Sequence, residues 1–283
     1  MDRSVHKRFL LASDFDQTLS FNDSGYALAE ILGVSDYRDR IEGLAHSNLV
    51  QQGGELAYLI RHDPEFRGVR REHLQEAGRR VRLKQAIPDL VRFLEHGLDE
   101  VRFSFFVISA APREVVTAAL DGILPPERII ATELDYERAS GEVCAIGQVR
   151  AGFGKVAALD ALALRLEIAP ERIVYVGDGS SDMHVMLHVN NGHGFTIAVS
   201  ENHYLERIAQ TTVLSDNAFS VAVPVLDQVL GWQSSRIQAV IESRGLHLQD
   251  WQKVRMERVV AVERPAGAGH STTGVGLHPD PRA

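Results

Sequence analysis

The chain has almost no cysteine. Cys144 is the only one in 283 residues, so an intrachain disulfide is excluded, and a reducing, cytoplasmic setting is the expectation. Nothing around it points to a thiol nucleophile. Positive charge is also scarce: 30 Lys and Arg stand against 38 Asp and Glu, a formal net charge of -8. That argues against nucleic acid as a partner, because binding it needs a basic surface that displaces counterions from phosphates. No apolar run is long enough to span a membrane. At the start, the run after His6, Lys7 and Arg8 ends at Asp14, too soon for a signal-peptide core. No internal repeat is visible. What remains is an ordinary composition, 45% hydrophobic and 24% charged, with length for one large domain or a core carrying a smaller one.

Short apolar runs rich in β-branched and aromatic residues alternate with helical patterns, the signature of strands joined by crossover helices. Strands are predicted at Phe9–Ser13, Phe103–Ser109, Arg172–Val176 and Phe195–Val199, with weaker signals at Ile129–Thr132 and Thr212–Leu214. The runs are continuous, not alternating, as in a parallel sheet covered on both faces. The fold class predicted is α/β: a Rossmann-like three-layer core with a parallel sheet, plus an inserted helical cap.

The insertion lies between the first two strands. Ala27, Leu28, Ile31 and Leu32 recur at helical spacing after Asn22, Asp23 and Ser24, any of which can cap a helix start. Two further helices are predicted through "LAYLIRHD" and "REHLQEAGRRVRLK". Between Arg61 and Lys84 there are eight Lys and Arg against four Asp and Glu. This basic patch invites a small anion, with Arg61, Arg67, Arg70 and Arg71 as candidates. Its plainer reading is a solvated face whose arginine stems cover apolar surface. The resulting division is residues 1–20 and 86–254 as core and 21–85 as cap. Residues 255–283 include a Gly-, Pro-, Ser- and Thr-rich end and are expected to be disordered.

In an open parallel sheet, ligands bind beyond the carboxyl ends of the strands. Four stretches put reactive groups there. "LLASDFDQTLS" delivers Asp14, Asp16 and Thr18; "FFVISAAP" delivers Ser109; "RIVYVGDGSSD" delivers Asp178 and Asp182; "GFGKVAALDAL" sets Lys155 in the first turn of a helix. Four converging carboxylates repel one another unless a cation is present. Oxygen-only donors imply a hard divalent ion, and Mg²⁺ suits one or two carboxylates completed by waters and substrate phosphate. One carboxylate can then attack phosphorus while another serves as acid and base. A serine, backbone amides and a lysine can hold the phosphoryl oxygens.

"DFDQT", "VISAA", the "GFGK" lysine and "GDGSSD", in that order, resemble the four motifs of the haloacid dehalogenase-like superfamily, phosphatase branch, across residues 9 to 200. The long helical insertion is similar to the cap of its phosphoserine-phosphatase-like members. The resemblance implies a Mg²⁺-dependent phosphatase acting on a small phosphorylated metabolite through an aspartyl phosphate. Asp14 would be the nucleophile and Asp16 the general acid and base, with Ser109 and Lys155 binding phosphate. Thr18, Asp23 and Ala110 would lie beside the substrate. Metal ligands would be Asp14, Asp178, Asp182 and Asp16, the last through its carbonyl.

Each motif alone has a plainer reading: "DxDxT" as a capping turn, "GDGSSD" as a tight turn, Ser109 as a strand end, Lys155 as an exposed helix residue. A dehalogenase would not need the acid at Asp16, since halide leaves without a proton. A phosphotransferase to an acceptor other than water, or a catalytically silent binding protein on this fold, are the alternatives. His184, His188 and His193 offer a histidine metal site, against ordinary helix and loop histidines. Asp23 stands nine positions after Asp14, where the phosphoserine-phosphatase pattern has a glutamate that meets the substrate's amino group. The shorter side chain loses more than about an ångström of reach, which puts serine phosphate in doubt. Asp23 can equally be a helix cap.

Overall fold

The computed structural model describes residues 7–47, 50–201, 203–248 and 258–263. Its strands are β1 (Lys7–Ser13), β2 (Val101–Pro112), β3 (Ile129–Thr132), β4 (Leu134–Tyr136), β5 (Val143–Ile146), β6 (Ile173–Gly177), β7 (Phe195–Ala198), β8 (Thr211–Leu214), β9 (Leu246–Leu248) and β10 (Arg258–Glu263). Eight of them form one sheet in the order β3-β2-β1-β6-β7-β8-β10-β9, parallel except for β9. All six predicted strands are present.

The sheet is buried on both faces, which is why its strands read as unbroken apolar runs. Leu11, Phe105, Val107, Val174 and Val176 enter one core. Leu10, Ala12, Phe106, Ile108 and Tyr175 enter the other, under helices α7 (Phe153–Leu166) and α8 (Met183–Asn191). Central β1 is flanked by β2 and β6, with Ser13 opposite both Val107 and Val176. The chain winds outward from β1 through β2 to β3, then crosses back through α7 to β6 on the other side of β1. That reversal of strand order opens a crevice at the carboxyl end of β1.

Residues between β1 and β2 form α1 (Ser24–Leu32), α2 (Tyr37–Ser47), α3 (Glu55–His62) and α4 (Arg71–Arg80), before α5 (Ile87–His96) returns to the sheet. The insertion is pinched at its base: Phe21 N–H donates to Arg82 O at 2.9 Å and Lys84 N–H to Leu19 O at 2.8 Å. Helix α2 escaped the sequence reading because Tyr37 is its only buried residue, leaving no apolar stripe to count. Arg40 holds it instead, pairing with Asp36, Asp63 and Glu65. The antiparallel hairpin β4–β5 also went unpredicted. It braces the insertion from the core side, with Val143 N–H donating to Val69 O at 2.9 Å.

One expectation is corrected here. Within the stretch expected to be disordered, 255–283, Arg258–Glu263 is a strand lying parallel to β8 and antiparallel to β9. The run Val259, Val260, Ala261, Val262 is mostly β-branched, and the Pro- and Gly-rich composition begins only after it, at Pro265. The rest of that stretch lies outside the described residues.

Candidate active site

Asp14 is the first residue past β1. Its amide donates to Val176 O at 2.8 Å, so the sheet ladder reaches up to this residue. One side-chain oxygen accepts from Phe15 N–H at 2.7 Å and the other meets Lys155 Nζ at 2.9 Å. The next residues turn back on themselves: the amides of Thr18, Leu19 and Ser20 all converge on Phe15 O. Gln17 takes φ 55° to make the turn, a left-handed conformation that a non-glycine residue adopts only under constraint. As a result Asp16 folds toward the insertion, where Ser24 N–H and Ser24 Oγ donate to its carboxylate at 2.8 and 3.0 Å. Thr18 Oγ1 donates to Asp178 Oδ1 at 3.4 Å.

Beneath Asp14 lies a closed set of charged partners. Lys155, in the first turn of α7, is fully buried, with Nζ 2.6 Å from Asp182 Oδ1 and 3.3 Å from Ser181 Oγ. The Tyr175 hydroxyl donates to the same Asp182 oxygen at 2.7 Å. The other Asp182 oxygen accepts from the amides of Asp178 and Gly179 at 3.1 and 3.2 Å. This tuck needs glycine at 177, since a Cβ there would sit 2.5 Å from Asp182 Cγ. At the end of β2, a bulge between Ser109 and Pro112 re-aims the chain, and Ser109 Oγ accepts from Ala111 N–H at 3.1 Å.

These surroundings move the carboxyl groups in one direction. Burial, reinforced by the charge of Asp182 and opposed by Lys155, pushes Asp14 up to about 7. Burial, then the charges of Asp23 and Asp14, holds Asp16 well above the usual carboxylate range. Asp178 is raised as well, by burial and by Asp182. Among the described residues, Asp14, Asp178 and Asp182 form a group whose ligand atoms lie within 4.8 Å of one another. All are hard oxygens, and a divalent cation fits them: it would relieve the repulsion that raises these groups. Asp182 is in the group by distance, but both its oxygens already have protein partners.

Asp14, Asp16, Asp178, Ser109 and Ala110 line the floor of a cavity of about 280 Å³. Its roof comes from the insertion, including Asp23, Tyr37, Gln52, Gly53 and Glu55. Gly53, at φ 90°, brings that roof onto the core: a Cβ there would lie 2.8 Å from Ser181 Cβ and 3.0 Å from Ala151 Cβ.

Four motif stretches from separate parts of the chain thus meet around one carboxylate at the sheet's reversal point. A haloacid dehalogenase-like hydrolase family model matches residues 11–187, well over half of the chain. The chain belongs to this family. No curated protein matches the sequence. The fold of this haloacid dehalogenase-like hydrolase is similar to that of a substrate-bound phosphoserine phosphatase at 20% identity and a TM-score of 0.61, covering 76% of this chain and 97% of that one. It is similar too to a phosphoserine phosphohydrolase-like protein from Francisella tularensis (19% identity, TM-score 0.58, 76% and 98% covered). A family hydrolase from Salmonella enterica serovar Typhi matches at 16% identity and TM-score 0.62, with 80% and 72% covered.

Of the two readings of Asp23, the helix cap is observed. Asp23 caps α1, accepting from Gly25 N–H at 2.6 Å, and it lines the cavity. The basic patch does not reach the cavity. Arg70 pairs with Glu142 at 3.4 Å and Arg71 with Glu114 at 3.1 Å, Arg71 and Arg79 face a separate groove beside α6 (Arg113–Ala119), and Arg61 is exposed. The histidines do not converge: His188 meets Asp160 at 2.7 Å, and His184 packs at a tilt against Phe153. Glu55 and Tyr37 were missed. Their only signal was a glutamate before "LAYLI" and a tyrosine in a polar stretch, neither of which marks a site without the fold.

Proposed function

We propose that this chain is a Mg²⁺-dependent phosphatase that hydrolyses a small-molecule phosphate monoester through an aspartyl phosphate at Asp14. Residues 21–85 act as a cap over a core formed by 1–20 and 86–254. The observation that carries the reading is the placement of Asp14 and Asp16 on opposite sides of one turn: Asp14 is fixed to the core by Phe15 N–H and Lys155, and Asp16 is held against the cap by Ser24, its carboxyl raised well above the usual carboxylate range by burial. In the first step an Asp14 oxygen attacks phosphorus, the ester P–O bond breaks, and Asp16 gives its proton to the departing oxygen. In the second, Asp16 takes a proton from water as that water attacks the same phosphorus. The P–O bond to Asp14 then breaks, releasing inorganic phosphate.

Ser109 and Lys155 hold phosphoryl oxygens, with the Ala110 backbone and Thr18 beside them. Asp182 anchors Lys155 and Asp178. Asp14, Asp178 and the Asp16 carbonyl would hold the Mg²⁺, which when bound supplies positive charge to the transferring phosphoryl group. Seating Gly53 against Ser181 and Ala151 excludes bulk water during transfer. The test is phosphate release from a panel of small monoesters with and without Mg²⁺. Turnover should require the metal and fall by about a thousandfold or more in Asp14→Asn. Metal-independent release, or full activity in Asp14→Asn, would overturn the reading.

A further inference from the structure

The far end of the sheet from Asp14 gathers positive charge, in a chain whose net charge is -8. Arg8, the second residue of β1, stands directly across from Arg102, the second residue of β2. Both are exposed. Like charges set opposite each other on neighbouring strands repel, so this register costs stability unless something between them carries the other sign. Arg128, just ahead of β3, joins them. With His96, Ser104 and Glu95 the three arginines line a groove of about 540 Å³, in which one carboxylate faces three guanidinium groups.

The groove owes its shape to a gap in the sheet. β3 pairs with β2 only from Val107 onward, and ahead of that point side chains take the place of a strand. Glu95 Oε1 accepts from Phe105 N–H at 3.3 Å, and Arg128 Nη1 donates to Phe105 O at 3.1 Å. The same Glu95 oxygen meets Arg128 Nη1 at 2.9 Å, and the Glu95 carbonyl accepts from Arg102 Nε at 2.9 Å. Arg128 also lies over the Phe106 ring, its Cζ 4.7 Å from the centroid. Each of these two guanidinium groups is therefore set in position by the fold, Arg102 at Nε and Arg128 at Nη1, before any ligand arrives. Ordering them costs a ligand little.

We propose that this groove is a second, non-catalytic site, which binds a phosphorylated small molecule carrying at least two negative charges. Guanidinium forks match phosphate oxygens two at a time, and an anion between Arg8 and Arg102 replaces their repulsion with attraction to both. Ser104 and His96 add donors at the same place. About 540 Å³ exceeds what a phosphoryl group fills, which leaves room for an organic part. The groove and the catalytic cavity share no lining residue. Arg8 and Asp14 stand at opposite ends of β1, about 20 Å apart at the rise of a strand.

The test is calorimetric titration of inorganic pyrophosphate into the full chain, in EDTA, with the NMR signals of the His96 imidazole followed in parallel. Saturable binding is expected with a Kd below about 1 mM, and the His96 signals should move as the site fills. Replacing both Arg8→Gln and Arg102→Gln should weaken binding by about tenfold or more, whereas Arg102→Lys, which keeps the charge but not the fork, should weaken it by less. No saturable binding would overturn the site. So would full affinity in the double variant, which would assign the anion to the catalytic cavity instead. If the double variant does not fold, Arg8→Gln alone and the His96 signals decide, and an unchanged Kd with unmoved signals overturns the proposal. Because the titration needs no turnover, its outcome is independent of the phosphatase reading.

Discussion

The floor and the roof of the cavity are built on opposite plans. Below Asp14 the buried charges are paired: Lys155 bridges Asp14 and Asp182, Tyr175 and two amides complete Asp182, and glycine at 177 lets the carboxylate tuck in. Above, the Asp23 and Glu55 carboxylates that line the space accept from backbone amides, those of Gly25 and Gly53 among them. A buried network paired in this way holds its members in place. The described residues of the roof include no buried lysine or arginine of this kind.

Breaking the floor should have the largest effect. Lys155→Met leaves Asp14 and Asp182 buried without their cation, so it should cost about 3–5 kcal/mol of stability, measured by denaturant unfolding. Phosphate release should fall with it, by about a hundredfold or more. A variant as stable as the unmutated protein would show that the floor is not the paired network described.

The second way to sharpen the contrast is pH. The Asp14 carboxyl, ordinarily near 3.8, sits at about 7 in the folded chain. Between those values the folded state keeps a proton that the unfolded state has lost. The contribution to stability is therefore whole below 3.8 and disappears as pH rises through about 7. In EDTA the melting temperature should fall from about pH 5 to about pH 8, and Asp14→Asn should reduce that slope. Asp16 and Asp178, raised in the same direction, account for the slope that remains. Identical slopes would mean the floor carries no such strain.

The smallest effect is expected outside both regions. Arg70 and Glu142 are 49% and 40% exposed, so Arg70→Ala should change stability by less than about 1 kcal/mol. Neither Arg70→Ala nor Arg71→Ala should move selectivity between esters, because neither residue lines the cavity. A changed ratio would return the basic patch to the substrate.

The floor was legible in the sequence and the roof only at Asp23, for a physical reason. Strand ends announce themselves locally: "LLASDFD" and "IVYVGD" pass from apolar run to carboxylate within a few residues, and the sheet then brings them together at its reversal point. Core strands β1, β2, β3, β6, β7 and β8 followed from the same runs. The roof depends on how helices lie over the core. Tyr37 sits in a polar segment with no stripe, and Glu55 opens a helix whose other buried residues are apolar. The same lack of local signal hid α2, β4, β5 and β9, whereas the β-branched run of β10 was passed over within a stretch whose end is rich in Pro and Gly. It also made the arginines look like ligand groups, when their partners, Glu114 and Glu142, lie far along the chain.

The pinch at the base of the insertion has a consequence for how such a protein can change. Leu19 through Phe21 and Arg82 through Lys84 run side by side, joined by backbone hydrogen bonds, with Arg82 Cζ 4.7 Å from the Phe21 ring. The chain leaves the core and rejoins it at nearly one point. About sixty residues can therefore be lengthened, shortened or exchanged without rerouting a single sheet connection. The residues that roof the cavity and those that floor it are carried on separate parts of the chain, and one set can be altered while the other is kept.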